Sequence, residues 1–536
     1  MPQVVQEAMP RSSNSKRNLA ATIGRNTIFG VIARVVQVAT RLVTVPIVIS
    51  HLGLGGYGIW SIIMTTAAYM RFGSVGVKSA FQKYVAEATG DGDFEKVNKL
   101  LSTGCAVMLI LSVAGLIPIA LFSTNLAKAC GVPNEFLSSS ASAISVLALI
   151  MVMSNVGSVY EAIVMGGHRI DLARKFTTAF TVGEAVAIVV LLHFGYGLFA
   201  MASVMATSEI GFVLSCYIAS KRVVPQIRLS TKYVERSVLG ELLRYVGSYQ
   251  LVGILEVLYA AILPIAILRH FGADASGVYA LATRLATCAI TLPDAFLLPI
   301  LSSGAMIYAS GSSEEIRLLI TKAFKVTLGL GLFPITFIAM FGATMIYAWT
   351  GESAPTLNAA LWMVALASLF QTFSRLGLVL YRVSGRAVLD NVRQLLTIAI
   401  LVLIAVFARR LGFYGVLGGL AAAELVGMVF MLFAITKTFR QFRPSSLLPD
   451  ALRLSVATAG ILAVGAIAMR IPLPTFSSAR LMAALQLGKV SLACTLAIWP
   501  ALWLTKSVTD REGQALVHAL FPRKNRPDQR CVESVT

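Results

Sequence analysis

Fourteen apolar runs restrict this 536-residue chain more than any other feature, each about 17 to 28 residues long and so able to cross a hydrocarbon core of ~30 Å. They lie near 26–50, 57–80, 100–123, 138–165, 177–195, 197–219, 245–269, 277–303, 323–349, 357–381, 393–411, 413–436, 454–470 and 483–505. Backbone polar groups inside a bilayer must be satisfied within the segment, so the runs read as membrane helices and the chain as an all-α polytopic membrane protein. Composition agrees, with 57% hydrophobic and only 13% charged residues, against about a quarter charged in soluble domains. The net charge of +20 raises nucleic acid as a partner, but the Lys and Arg sit in short loops between apolar runs, so no nucleic acid is expected. Six scattered cysteines with no CxxC pair support neither a disulfide framework nor a zinc site.

A motif repeats within this pattern. His51-Leu52-Gly53-Leu54-Gly55-Gly56-Tyr57-Gly58-Ile59-Trp60-Ser61 returns, diverged, as His270-Phe271-Gly272-Ala273-Asp274-Ala275-Ser276-Gly277-Val278-Tyr279-Ala280. Each copy follows an apolar run with a proline, Pro46 or Pro264, and precedes another run, so each reads as a tight glycine turn between two helices. Tyr196-Gly197-Leu198 against Tyr414-Gly415-Val416, and Gly167 against Gly385, keep the offset at 218 to 219 residues. A duplication of six helices follows.

Charge sets the expected orientation. With the N-terminus in the cytoplasm, 32 of the 45 Lys and Arg fall in the two tails and the inner loops; the outer loops hold only Lys128, Arg269, Arg409, Arg410, Arg470 and Arg480. The positive-inside rule then places both termini in the cytoplasm. The first 25 residues lack an apolar signal core, so insertion is expected to start at the first membrane helix. The expected organisation is a cytoplasmic tail (1–25), a six-helix lobe (26–220), a cytoplasmic linker (221–244), a second lobe (245–437), two additional helices (438–505) and a cytoplasmic tail (506–536). An even number of helices per repeat relates the lobes by a pseudo-two-fold along the membrane normal, with a cavity between them.

No enzyme constellation is present: there is no phosphate loop with Lys, no HExxH and no GxSxG. The informative residues are ionisable groups within the runs, which are costly unless they face a cavity or a partner. Arg34, Gln37, Arg41 and Thr44 form one polar stripe on the first helix. Arg41 lies about 22 Å in from Asn26, at 1.5 Å per residue, and is expected to face the cavity; Arg34, about 12 Å in, can also snorkel. Arg71 and Lys78 share a face of the second helix. In the eighth, Arg284, Thr287, Thr291 and Asp294 occupy one arc; Arg375 stands beside Gln371 and Ser374 in the tenth. Converging guanidinium groups suit a diphosphate, while internal ion pairing with Glu161, Glu184, Glu209, Glu256 or Glu424 remains the alternative for Arg284 and Arg375. On the seventh helix Tyr249 and Tyr259 are candidate sugar contacts, Tyr245 an interface anchor, and Glu256 a candidate ion-coupling group or an arginine's partner. Asp294 is the other candidate for ion coupling. The loop from Asp91 to Lys96 lacks the calcium pattern and reads as a helix-capped turn. The linker and the basic C-terminal tail are expected at the anionic inner leaflet, against membrane lipid.

These residues resemble the polysaccharide-transport (oligosaccharide flippase) family of the multidrug/oligosaccharidyl-lipid/polysaccharide exporter superfamily. The resemblance rests on Leu52-Gly53, Tyr57-Gly58 and Trp60, on Phe271-Gly272 and Gly277-Val278-Tyr279 with Arg284, and on Tyr196-Gly197 and Tyr414-Gly415, across most of residues 20–440. Gly55 departs from an acidic residue frequent at that turn, which Asp274 keeps in the second copy. The resemblance implies a non-enzymatic flippase, without cofactor, that moves an undecaprenyl-diphosphate-linked glycan across the bacterial inner membrane by alternating access. The glycan would then enter O-antigen, capsule or exopolysaccharide through a polymerase and chain-length machinery. A multidrug:cation antiporter or a lipid II flippase is the rival reading.

Overall fold

The computed structural model describes residues 13–70, 85, 92–167, 169–310, 313–384, 386, 388–439, 442–474 and 478–507. The fold is all-α, with α1 (Ser13–Met70), α2 (Phe94–Leu121), a short α3 (Ser123–Ala129), α4 (Asn134–Gly166), α5 (Ile170–His193), α6 (Leu198–Val223) and α7 (Arg236–Phe271). They are followed by α8 (Ala273–Ser310), α9 (Ser313–Thr350), α10 (Leu357–Val383), α11 (Val388–Val406), α12 (Ala408–Thr438), α13 (Leu448–Arg470) and α14 (Ala479–Leu504). Twelve helices among the described residues are long and apolar enough to cross a membrane. The span in α1 runs across Gly53 into its second leg, and α8 is a further long helix outside these twelve, against the fourteen expected.

The expected turn at Gly53 contains no loop. α1 continues through it, bent at one residue with φ 71° and ψ 173°. Gly272 (φ 88°, ψ 179°) joins α7 to α8, and Gly412 (φ 69°, ψ 172°) bends α12. That region of backbone space is essentially closed to residues with a Cβ. Gly195, between α5 and α6, has φ 81°. All four follow a basic or imidazole residue and then Leu or Phe: His51-Leu52, His193-Phe194, His270-Phe271 and Arg410-Leu411. The duplicated motif pairs the first with the third; the same joint also occurs at Gly412, and Gly195 shares its positive φ in the short loop between α5 and α6.

Contacts divide the chain into two compact units, which do not coincide with the sequence repeats. The first comprises Met1–Arg284, Thr350–Met363 and Asn391–Ala423; the second comprises Leu285–Trp349, Val364–Asp390 and Glu424–Thr536. In the first unit α4 packs on α6 and α2, and α1 on α5. Leu100, Leu101, Val159, Tyr160, Ile163 and Cys216 are buried together there. In the second, Phe324 stacks on Phe373 and Phe442, and the Tyr381 hydroxyl donates to the Met431 carbonyl at 3.2 Å. α13 and α14 pack on each other, with Ile461, Val490 and Cys494 buried together with Phe341. Each unit contains the same helix crossing: Gly157 meets Val213, and Gly377 meets Met431, with no room for a Cβ at either glycine. The partners are offset by 220 and 218 residues, as a duplication requires. Large apolar side chains such as Ile110, Leu121, Val186, Leu492 and Leu496 are exposed, as expected for helices solvated by lipid.

The linker is shorter than 221–244, because α6 runs to Val223 and α7 begins at Arg236. Residues 224–235 lie along the first turns of α2 as a strap. Asn98 Nδ2 donates to the Gln226 carbonyl (3.2 Å) and Oδ1 accepts from the Arg228 amide (2.7 Å). Ser102 Oγ accepts from Ser230 N (3.2 Å), and Thr103 Oγ1 from Glu235 N (3.1 Å). The Asp91–Lys96 loop is helix-capped as expected: Asp93 accepts from the Lys96 amide at 3.0 Å.

Candidate functional site

Of the expected polar stripe on α1, Gln37 and Thr44 are half-buried, and Thr44 Oγ1 donates to the Thr40 carbonyl (2.8 Å). Arg34 and Arg41 lie on the same helix at stripe positions; their side chains lie outside the described residues, as does the whole of Arg71. Tyr249 is helical in α7, with its side chain likewise outside; further along that helix Glu256 is exposed and Tyr259 half-buried.

The arc on α8 is the best-defined part. Ala282, Leu285, Ala286, Ala289, Ile290 and Leu297 are buried, and between them Thr287 and Thr291 are exposed while Arg284 and Asp294 are intermediate. The helical register therefore turns the predicted polar residues to the open face and the apolar ones to the core.

In the second unit Arg375 Nη1 donates to Asp294 Oδ2 at 2.6 Å. This is an internal ion pair of the kind the sequence left open, but its acid is Asp294 rather than one of the five glutamates considered. Asp294 thus has an arginine's charge beside it. The side chains are 44% (Arg375) and 35% (Asp294) exposed. Arg375 is eight residues from the end of α10, about 12 Å at 1.5 Å per residue. Charged groups within a span are costly unless they face a cavity or a partner. Their placement is rigid. A Cβ on Gly331 of α9 would lie 3.2 Å from Thr372 and 3.4 Å from Pro293, so three helices meet one residue or one turn from the pair. Leu297 and Leu376 carry it onto the aromatic core.

In the first unit the two copies of the turn motif pack directly on each other. A methyl group on Gly58 would lie 2.5 Å from the Gly277 amide nitrogen and 2.7 Å from the Ala273 carbonyl oxygen, while a Cβ on Gly277 would strike Leu54. One on Gly55 would lie 2.9 Å from Asp274 Oδ1. Arg284 is close enough to Tyr57 for its charge to act on the phenol, which puts this arginine beside the turn junction. Phe271 and Phe413 meet edge-on nearby, with centroids 5.9 Å apart.

Together these features define a polytopic helical membrane fold with a charged pair among its long apolar helices. Residues 31–182 match the MatE family model. A multidrug-resistance MATE family transporter of the MOP superfamily, in its inward-facing conformation, superposes with a TM-score of 0.67 at 17% identity, covering 76% of this chain and 95% of its own. A MOP superfamily transporter from Pyrococcus furiosus, described as having a binding pocket of reverse polarity, gives 0.56 at 18% identity, with coverages of 78% and 96%. The lipid II flippase MurJ, inward closed, gives 0.64 at 12% identity and covers 88% of this chain and 97% of its own. At these identities the likeness establishes the fold. None of the curated protein sequences matches the chain.

Proposed function

We propose that this protein is a flippase that moves an undecaprenyl-diphosphate-linked oligosaccharide across the bacterial inner membrane by alternating access, for O-antigen, capsule or exopolysaccharide assembly. The observation that carries the reading is Arg375, an arginine within a membrane helix, partly open to water and bound through a single nitrogen to Asp294. Arg284, Thr287 and Thr291 line the open face of α8, and Arg34, Arg41 and Arg71 are further arginines in the first two predicted spans. Guanidinium groups keep their charge and offer planar pairs of donors, the chemistry that a diphosphate requires. Gln37, Tyr249 and Tyr259 would meet the sugars, and the lipid tail would stay in the bilayer. Both termini would lie in the cytoplasm, and a polymerase would take up the product.

A lipid II-type flippase is the second reading, favoured by the coverage of 88% of this chain by MurJ, against 76% to 78% by the MATE-type structures. Translocation of labelled undecaprenyl-diphosphate oligosaccharide and of labelled lipid II in proteoliposomes separates the two. The intact protein is expected to move the oligosaccharide lipid, and Arg41→Ala and Arg284→Ala to insert normally but fail. Movement of lipid II alone would favour the second reading. Export of organic cations in exchange for protons or sodium, with no lipid movement, would replace both by an antiporter.

A further inference from the structure

We propose that Asp294 is a built-in counter-ion of Arg375 that shares the guanidinium with an incoming diphosphate and so sets how readily the transported anion is released. The inference rests on the flippase reading and assigns Asp294 a role within it.

Arg375 makes one hydrogen bond among the described residues, from Nη1 to Asp294 Oδ2 at 2.6 Å. A guanidinium carries five N–H donors, and bidentate capture of a carboxylate would use two of them on one edge. Here the guanidinium gives the carboxylate one nitrogen, and the Arg375 side chain remains 44% exposed. Donors on the rest of the fork are therefore open to a second anion while Asp294 stays in place. The pair cannot readily drift apart. Pro293 and Thr372 are clamped against Gly331, and Leu297 and Leu376 are buried in the aromatic core. Asp294 is therefore held where it reduces the field that a ligand at Arg375 would feel.

A transporter needs such a device. Its site must bind strongly enough to load and weakly enough to unload. A bare arginine in a water-poor span would hold a diphosphate tightly. A carboxylate about 6 Å from the bound anion, at an effective dielectric of about 20, opposes binding by more than a factor of ten. Asp294 acts through Arg375 and need not touch the substrate.

The test uses the full-length protein, with inorganic pyrophosphate binding measured by calorimetry and translocation of the labelled lipid-linked oligosaccharide measured in proteoliposomes. Asp294→Asn is expected to bind pyrophosphate more than tenfold more tightly, to lower the half-saturating concentration of the lipid, and to lower the maximal rate. Asp294→Ser, a smaller neutral variant, should do the same if the Asn variant inserts poorly. Asp294→Glu keeps the charge and should stay near the intact protein, and Arg375→Gln should lose pyrophosphate binding. A merely structural role would lower affinity and rate together in both neutral variants, and that result overturns the counter-ion role while leaving the flippase standing, provided the intact protein moves the lipid. If the intact protein neither binds pyrophosphate nor moves the lipid, the flippase reading and this inference fall together.

Discussion

The two ends of the first unit are held together by opposite means. Where the turn motifs meet, backbone lies close against backbone at Gly58 and Gly277, with the Leu54 and Asp274 side chains beside the contact. Where the linker returns along α2, side chains do all the work, with Asn98, Ser102 and Thr103 gripping the main chain of residues 226 to 235. A contact between bare backbones has no side chain that can adapt, so it is either formed or broken. A strap of hydrogen bonds can be loosened one bond at a time.

The largest expected effect comes from adding one methyl group to the glycine junction. Gly58→Ala or Gly277→Ala must push backbone aside and should cost about 3 kcal/mol, roughly a hundredfold in the population of the packed arrangement. Ser276, buried at the junction, reports on it. Ser276→Cys should resist a membrane-impermeant maleimide in the otherwise intact protein and react in the Gly58→Ala background. Equal protection in both would remove the distinction between the two ends.

Asn98→Ala should come next. It removes the bonds to the Gln226 carbonyl and the Arg228 amide, at about 0.5–1.5 kcal/mol for each. Faster trypsin cleavage after Arg228, with the junction reporter still protected, is the expected readout. Exposure of both regions at once would mean that they are not independent.

Gly55→Asp is a smaller and conditional change. It restores the acidic residue frequent at this turn but sets it against Asp274, whose carboxylate oxygen lies 2.9 Å from where the Cβ would be. The repulsion should cost about 1–2 kcal/mol. Asp274→Asn should relieve it in a double-mutant cycle.

The smallest effect belongs to the end of the strap. The Glu235 carboxyl is held below its usual range by the Ser237 hydroxyl first, then by the hydrogen bond and charge of Lys99. Because the folded value is lowered, its contribution is present above the ordinary carboxylate range and is lost as the pH falls through the lowered value. Hydrogen exchange of the linker amides should therefore rise modestly in acid, and Glu235→Gln should abolish that dependence. The pair is exposed, so the change is expected to be small.

Much of this architecture was legible because lipid imposes it. Runs long enough to span, and glycines that alone tolerate φ near 70–90°, can be recognised without any contact. Ionisable residues in the spans were legible as a candidate site for the same reason, and the arc from Arg284 to Asp294 faces outward from the buried side of α8 as its spacing implied. The pairing of Arg375 with Asp294 was not legible. The two are 81 positions apart, and which acid reaches which arginine depends on where α8 and α10 cross. The strap escaped notice for a similar reason, since Asn98 and Thr103 are ordinary polar residues near a helix start until the linker lies against them.

The sequence by itself determined that the chain is a bundle of membrane helices with a duplicated glycine joint, because the bilayer penalises unpaired backbone and misplaced charge at every position separately. Tertiary structure decided that the two joints lie face to face and that Asp294 pairs with Arg375. Those outcomes depend on helix crossings at Gly157, Gly331 and Gly377, where contacts between residues far apart in the chain decide which groups meet.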